Sequence, residues 1–550
     1  MRIVSGVVAL AIVAALVVEA QPAPPDLVIV NARVFTGVTA TPWAEAVAVR
    51  ADRIVAVGTS DAVRKQSGAA TRVIDAGGRL IIPGINDAHA HPGASPEHTT
   101  LGGPPAFEQD PSLDEVLERI KAAAAKAPAD GWLVGEIGAK VLDDPRATRN
   151  ALDPLTGQRP LLLASWHGHG VLLNTAALRR LKIADQEEDP PGGFFVRMTD
   201  GRTITGLAHE YADYMIRRRF HMLASREMQI RELRKFAAEA AGFGITSVQA
   251  MSTAAPVIDA AAWVDEAKLP IRIRLIDFPL TSMTAWKMPA LRRTSALLTV
   301  SGTKWILDGT PIERLMFLRE PFSDSPSLRG RLNFPEEDLR LFLPRALEAG
   351  EQPLFHTVGD AAIDRLLASL EATGGAKWAA FRPRLEHGDM LEPAHFERAR
   401  KLGLVLVQNP SHFMTAPILQ ARLGGRTLRT GMVQSAIKAG LPFAIGSDGP
   451  MNPYLNMMFA AIHPANPGEA LSVEQSLAAY TQGAAFAEFA EGQKGTLAPG
   501  MLADLAMLSQ DIFKVPPPEF PKTTSLLTIV GGTIVHESKP AAEPDAYSKR

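Results

Sequence analysis

The chain is 550 residues long, 46% hydrophobic and 21% charged, enough for a barrel-sized core with accessory domains and without a large low-complexity tract. Lys plus Arg (57) nearly cancels Asp plus Glu (59), which argues against a nucleic-acid or anionic-membrane partner and leaves a small-molecule substrate as the expected one. No cysteine is present, so disulfides and lipoprotein processing are excluded. Arg2, the apolar run over residues 3–18 and Val18-Glu19-Ala20 read as a secretory signal over residues 1–20, cleaved before Gln21. Cleavage leaves a periplasmic or secreted protein with no stable membrane span. The competing reading is an uncleaved anchor, because the run approaches the thickness of a bilayer.

Residues 26–37, 46–58 and 72–76 are short β-branched runs split by Gly, Asn and Asp, the pattern of hairpin strands. Residues 503–508 and 526–536 offer matching pieces, so a small β-sandwich built from both chain ends is expected. The apolar run 80–82 reads as the first strand of a barrel. It leads into Pro83-Gly84-Ile85-Asn86-Asp87-Ala88-His89-Ala90-His91-Pro92-Gly93. On a strand His89 and His91 point the same way and can share one ion. Pro92-Gly93 turns the chain straight after them, placing them at the strand's C-terminal end, where (β/α)8 barrels carry their active sites.

Strands are then expected at 245–250, 271–277, 304–307, 354–358, 384–387, 404–408 and 443–446, with helices at 226–241, 361–373, 393–402 and 430–439. With the strand at 80 the count is eight, which predicts an α/β fold with a TIM-like (β/α)8 barrel. Residues 94–220 are too many for one βα connection and predict an inserted subdomain. Ser112-Leu113-Asp114-Glu115 is a capping box opening a helix to about residue 125, and 132–137 and 160–165 read as strands. Leaving from the C-terminal end of the first strand, the insertion is expected to wall or cover the substrate pocket. The resulting division is 1–20 signal, 21–79 and 494–550 sandwich, and 80–493 barrel with its insertion.

His356, His387 and Asp448 fall at the ends of the fifth, sixth and eighth strands, on the rim that carries His89 and His91. Such a set can hold one or two divalent ions, zinc foremost with imidazole donors, and lower the pKa of a water toward neutrality. His89, His91 and Asp448 would hold one ion, and His356 with His387 the other. Asp448 is also placed to take the proton of the attacking water and hand it to the leaving nitrogen. His169, from the insertion, would help stabilise the oxyanion.

The order Pro83-Gly84-x-x-Asp87-x-His89-x-His91, His356, His387, Gly446-Ser447-Asp448 resembles the amidohydrolase superfamily. Finer details resemble its family 3, the YtcJ-like group. These are Trp166-His167-Gly168-His169 leading to Leu173-Asn174-Thr175-Ala176-Ala177-Leu178, Gly244-Ile245-Thr246-Ser247, and Lys304-Trp305-Ile306-Leu307-Asp308-Gly309. Further along come His356-Thr357-Val358-Gly359-Asp360, Leu385-Glu386-His387 and the closing Gly495-Thr496-Leu497-Ala498-Pro499-Gly500. The resemblance implies a metal-dependent barrel hydrolase of C–N bonds, most simply of a linear amide or N-acyl group. In two-metal relatives the fourth strand can supply a carboxylated lysine, which here would be Lys304. The other reading of Lys304 is an ordinary ammonium paired with Asp308 or reaching a substrate carboxylate.

Relatives often carry Asp-Gly-His where this chain has His167-Gly168-His169, so a structural role for His169 stays open. His412 either lines the pocket or is exposed in its loop, and Asp360 and Glu386 are either orienting partners of the ligand histidines or salt-bridge partners. The same site chemistry would serve an esterase, a lactonase or a cyclic amidase. A periplasmic binding protein that kept the barrel without turnover is the alternative from another class. A homo-oligomer is left open.

Overall fold

The computed structural model describes residues 23–289 and 291–538, so the signal reading of residues 1–20 lies outside the described residues. Eight parallel strands form the central sheet in chain order: Ile85–Ala90, Ile245–Met251, Arg272–Asp277, Leu298–Ile306, Pro353–Thr357, Arg384–His387, Val405–Gln408 and Phe443–Ile445. The sheet curls until the last strand meets the first. The Asp448 N–H donates to the His89 carbonyl at 2.9 Å and the Ser447 N–H to Asp87 Oδ1 at 2.8 Å. A Cβ on Gly446 would stand 2.4 Å from that of His89, so only glycine lets the eighth strand run this close to the first. The same contact brings Asp448 beside His89, and barrel closure and site assembly are one event.

Two sequence expectations need correction. Leu80–Pro83 is not a barrel strand: it pairs parallel with Arg33–Phe35 and antiparallel with Leu505–Leu508 in a flanking sheet. Gly84 ends it, donating its N–H to the Asp504 carbonyl, and the first barrel strand begins at Ile85. A short apolar run signals burial without saying in which sheet. The fourth strand starts at Leu298 rather than 304 and carries Gly302 inside it at φ +88°.

The flanking sandwich has a four-stranded sheet (Leu27–Val30, Ala46–Arg50, Arg53–Gly58, Arg72–Asp75) and a six-stranded one. The second sheet joins Arg33–Phe35, Trp43–Ala44 and Leu80–Pro83 to Leu505–Leu508, Ser525–Val530 and Thr533–Glu537. Their shared core mixes Leu27, Ile29, Val34 and Val47 with Leu505, Leu527 and Ile529, so burial of apolar surface ties the two chain ends together.

Between the first and second barrel strands lies a six-stranded mixed sheet running from His98–Thr100 to Ile204–Glu210, with its own apolar cores. Its helix Leu113–Ala124 opens with both halves of the Ser112–Glu115 capping box. The chain returns to the barrel through the helix Tyr211–His221, where Tyr211 and Tyr214 join the barrel core and the Tyr211 hydroxyl accepts from the Ile306 N–H at 3.1 Å. Polar contacts seat the insertion over the rim. Asp143 is gripped by Arg314 at 2.5 Å and Arg422 at 2.8 Å, and His167 meets Glu313 at 2.9 Å.

Candidate metal centre and active site

The first strand delivers His89, and His91 follows just past its end. Their Nε2 atoms are 3.1 Å apart, and Asp448 Oδ1 lies 3.0 Å from His91 Nε2 and 3.6 Å from His89 Nε2. The other carboxylate oxygen is 3.7 Å from His387 Nδ1. Donors about 2.0–2.2 Å from one tetrahedral ion stand about 3.3 Å apart, so this is the spacing of donors that share an ion. His387 Nδ1 and His356 Nε2 are buried without a hydrogen-bond partner, as ligand nitrogens would be. The residues therefore fit a divalent metal. His387 and Asp448 both adopt left-handed backbone, with φ of +69° and +45°, the kind of local strain that gathers at functional sites.

The protonation states fit as well. Glu386 Oε2 lies 2.5 Å from His89 Nδ1, and the same carboxylate accepts two bonds from Arg384 at 2.6 and 2.9 Å. An ionised Glu386 can only accept, so Nδ1 of His89 carries the proton and Nε2 turns its lone pair toward His91 and Asp448. Burial, reinforced by Lys304, pushes His89 down to about 4, and burial holds His356 and His387 well below the usual imidazole range. Three neutral imidazoles are what metal binding requires. Burial alone would raise Asp448, but the hydrogen bonds of His412 and His91 outweigh it and keep the carboxyl well below its ordinary range.

Lys304, on the fourth strand, is 1% exposed, with Nζ 3.2 Å from His89 Nε2, and burial pulls it down to about 8. It does not pair with Asp308, which instead accepts the backbone N–H groups of Phe317, Val358 and Gly359. Asp360 likewise turns away from the histidines and accepts the Arg319 N–H, so of the two acids beside ligand candidates only Glu386 orients one. His412 does face the site: its Nε2 is 3.4 Å from Asp448 Oδ2 and its ring stacks on that of His387. His356 stands edge-on to His387 and tilted against His169, with ring centroids 4.4 Å apart in each pair.

His169 is anchored by a residue that the sequence did not flag. Its Nδ1 lies 3.1 Å from both oxygens of Glu210, which also accepts from Asn333 at 2.7 Å. Glu210 is fully buried and has φ +57° and ψ −130°, a conformation costly for any side chain but glycine. Burial opposes protonation of His169, yet the Glu210 charge and hydrogen bond outweigh it and raise the imidazole. Glu210 sits at a strand end with no motif around it, and its partner is 41 residues away in sequence. Glu210→Gln keeps the shape and removes the charge, and kcat should fall about 10–100-fold, the usual cost of losing an orienting carboxylate. Steady-state kinetics on protein with unchanged metal content would check this.

His89, His91, Lys304, His356, His387 and Asp448 line a cavity of about 520 Å³, within the usual size for a small-molecule site. The insertion supplies Trp166, His167 and His169 to its wall, with Tyr214 and Arg217 beside them. The sequence model of the amidohydrolase family matches residues 72–536. The chain belongs to the amidohydrolase family. As a member it is a metal-dependent hydrolase of C–N bonds with a small-molecule substrate. This amidohydrolase is 26% identical over 525 residues to the putative amidohydrolase YtcJ of Bacillus subtilis (strain 168), covering 90% of this chain and 96% of that one. It is 25% identical over 543 residues to the N-substituted formamide deformylase of Arthrobacter pascens, covering 93% of this chain and 98% of that enzyme. In fold it is similar to the crystal structure of an uncharacterized metal-dependent hydrolase from Pyrococcus horikoshii OT3, with a TM-score of 0.68 at 21% identity over 90% of this chain and 99% of that one. Among the described residues no helix is long and apolar enough to cross a membrane.

Proposed function

We propose that this amidohydrolase cleaves a linear amide, removing a small N-acyl group, with Asp448 as general base. The observation that carries the reading is the placement of Asp448. One oxygen lies against His89 and His91 and the other against His387 and His412, at the floor of the cavity. Zinc suits the imidazole and carboxylate donors of His89, His91, His356, His387 and Asp448, and when bound it would supply Lewis acidity for activating water and polarising the carbonyl. Asp448, ionised in the resting site, takes a proton from the attacking water and returns it to the leaving nitrogen, so the amine departs neutral. His169, raised by Glu210, carries a donor toward the carbonyl oxygen as negative charge develops there. A carboxylated Lys304 would complete the ligands of a second ion. The deformylase relative supports a linear amide as the substrate class.

The test is amine and acid release by metal-replete protein from matched N-formyl and N-acetyl amides, esters, lactones and cyclic amides. Linear amides should turn over fastest, and faster lactone or ester cleavage would overturn the assignment. The same proposal places the protein in the periplasm or outside the cell, supported by Arg2 and the apolar run that follows it. The mature chain should begin at Gln21, and N-terminal sequencing that found Met1 would remove this part.

A further inference from the structure

The helix Tyr211–His221, which carries the chain from the insertion back to the barrel, turns one face to the catalytic cavity. Tyr214, Arg217 and His221 follow one another at spacings of three and four, so they share a side of the helix, and all three line the cavity. The Tyr214 ring stands edge-on to that of His169 with centroids 5.8 Å apart, and the Arg217 guanidinium lies over the Tyr214 ring, with Cζ 5.4 Å from its centroid. Arg217 therefore stands one aromatic ring away from His169.

Two contacts fix the guanidinium. Its Nε lies 2.9 Å from Oδ1 of Asp213, which is fully buried, and its Nη2 donates to the Gly168 carbonyl at 2.6 Å. Among the described residues Nη1 has no hydrogen-bond partner, and the side chain is 24% exposed. His221, one turn further on, donates its Nδ1 hydrogen to the Ala94 carbonyl at 2.7 Å, and burial holds it down to about 4, so its Nε2 can only accept. The donors on this face are thus the Tyr214 hydroxyl and a guanidinium of fixed orientation whose Nη1 hydrogens are unspent. A guanidinium fork matches a carboxylate, and its hydrogen bonds to an ionised acceptor are about twice as strong as those between neutral groups. Glu232 and Glu239 line the cavity from a different helix, Arg226–Gly242, where Lys235 stands three and four residues from them and offsets part of their charge.

We propose that Arg217 is a specificity-determining residue that binds a carboxylate of the substrate, so that the amide cleaved here carries an acid group a few bonds from the scissile C–N bond. The inference rests on the linear-amide reading and deepens it by naming the substrate class: a short amide with a free carboxylate. Asp213 and the Gly168 carbonyl hold the guanidinium in place, and Nη1 supplies the bond to the acid. The carboxylate can belong to the amine half or to the acyl half, and two substrate series separate these sources.

In the experiment every acid is paired with the alcohol in which a hydroxymethyl group replaces its carboxylate. One series carries the acid on the amine half (N-formylglycine, 3-formamidopropanoate, 4-formamidobutanoate), the other on the acyl half (N-methylmalonamate, N-methylsuccinamate, N-methylglutaramate). Metal-replete wild type should prefer acid over alcohol by about 10–100-fold in kcat/KM in one series. That ratio should fall to about one in Arg217→Met and be kept in part by Arg217→Lys. Arg217→Met leaves Asp213 buried without its partner, so if it does not fold, the double variant Asp213→Asn with Arg217→Met removes both charges and carries the same expectation. No preference for the acids in wild type, a preference that survives the loss of Arg217, or equal loss on acids and alcohols in a folded variant overturns the subsite. If no amide of either series turns over, the linear-amide reading falls, and the dissociation constants of the same pairs, measured by calorimetry, decide the subsite by the same ratio.

Discussion

Asp448→Asn should abolish turnover in a protein that still folds, lowering kcat by about 10³-fold or more. A general base alone contributes about 10²–10⁴-fold, and here the same carboxylate also supplies the anionic oxygen among neutral imidazoles. The substitution isolates charge. Asn tolerates left-handed backbone about as well as Asp does, so φ of +45° is retained. The backbone bond from residue 448 to the His89 carbonyl needs no side chain, so barrel closure is kept. The new amide cannot take a proton from water and would turn N–H groups toward His89, His91, His387 or His412. Kinetics should be read beside metal content and a melting curve. Activity near wild type in a folded protein would remove Asp448 from the role of base.

The parts of this architecture legible in the sequence are those written in local pattern. His89 and His91 share a face because strand periodicity is two, His356 and Asp448 could be placed because each follows a short apolar run, and His387 because it closes a short strand just before a turn at Gly388. What local pattern does not carry is the sheet a run joins, and Leu80–Pro83 went to the sandwich for that reason. Nor does it carry which acid orients which histidine. Asp360 and Glu386 look alike in sequence, each beside ligand candidates. Yet strand geometry turns Glu386 onto His89, while Asp360, at a helix start, accepts a backbone N–H. Glu210 and Glu313 reach their histidines from remote segments, so no spacing rule would find them. The strain at Glu210 is visible only once φ and ψ are known.

Lys304→Ala should cost about 10²-fold or more in kcat and reduce bound metal, and short carboxylates should restore part of both. In the folded chain the Lys304 amine is buried and its nearest polar partner is His89 Nε2, the lone pair that would bind a cation. No acidic side chain stands in an ion pair with it among the described residues. An ammonium in that place would be repelled by any ion that His89 holds. Addition of carbon dioxide removes the conflict: the neutral amine attacks its carbon, a proton leaves, and the product is an anionic carbamate with two oxygen donors. Burial already lowers the amine to about 8, which enlarges the neutral fraction that can react. A second ion drawn to His356 and His387 would otherwise have fewer than its usual four ligands. Metal-free protein should therefore recover a second equivalent of metal, and full activity, only when bicarbonate is present. If two equivalents bind and activity returns equally in bicarbonate-free buffer, with no density extending from the amine, Lys304 remains an ordinary lysine beside a single ion.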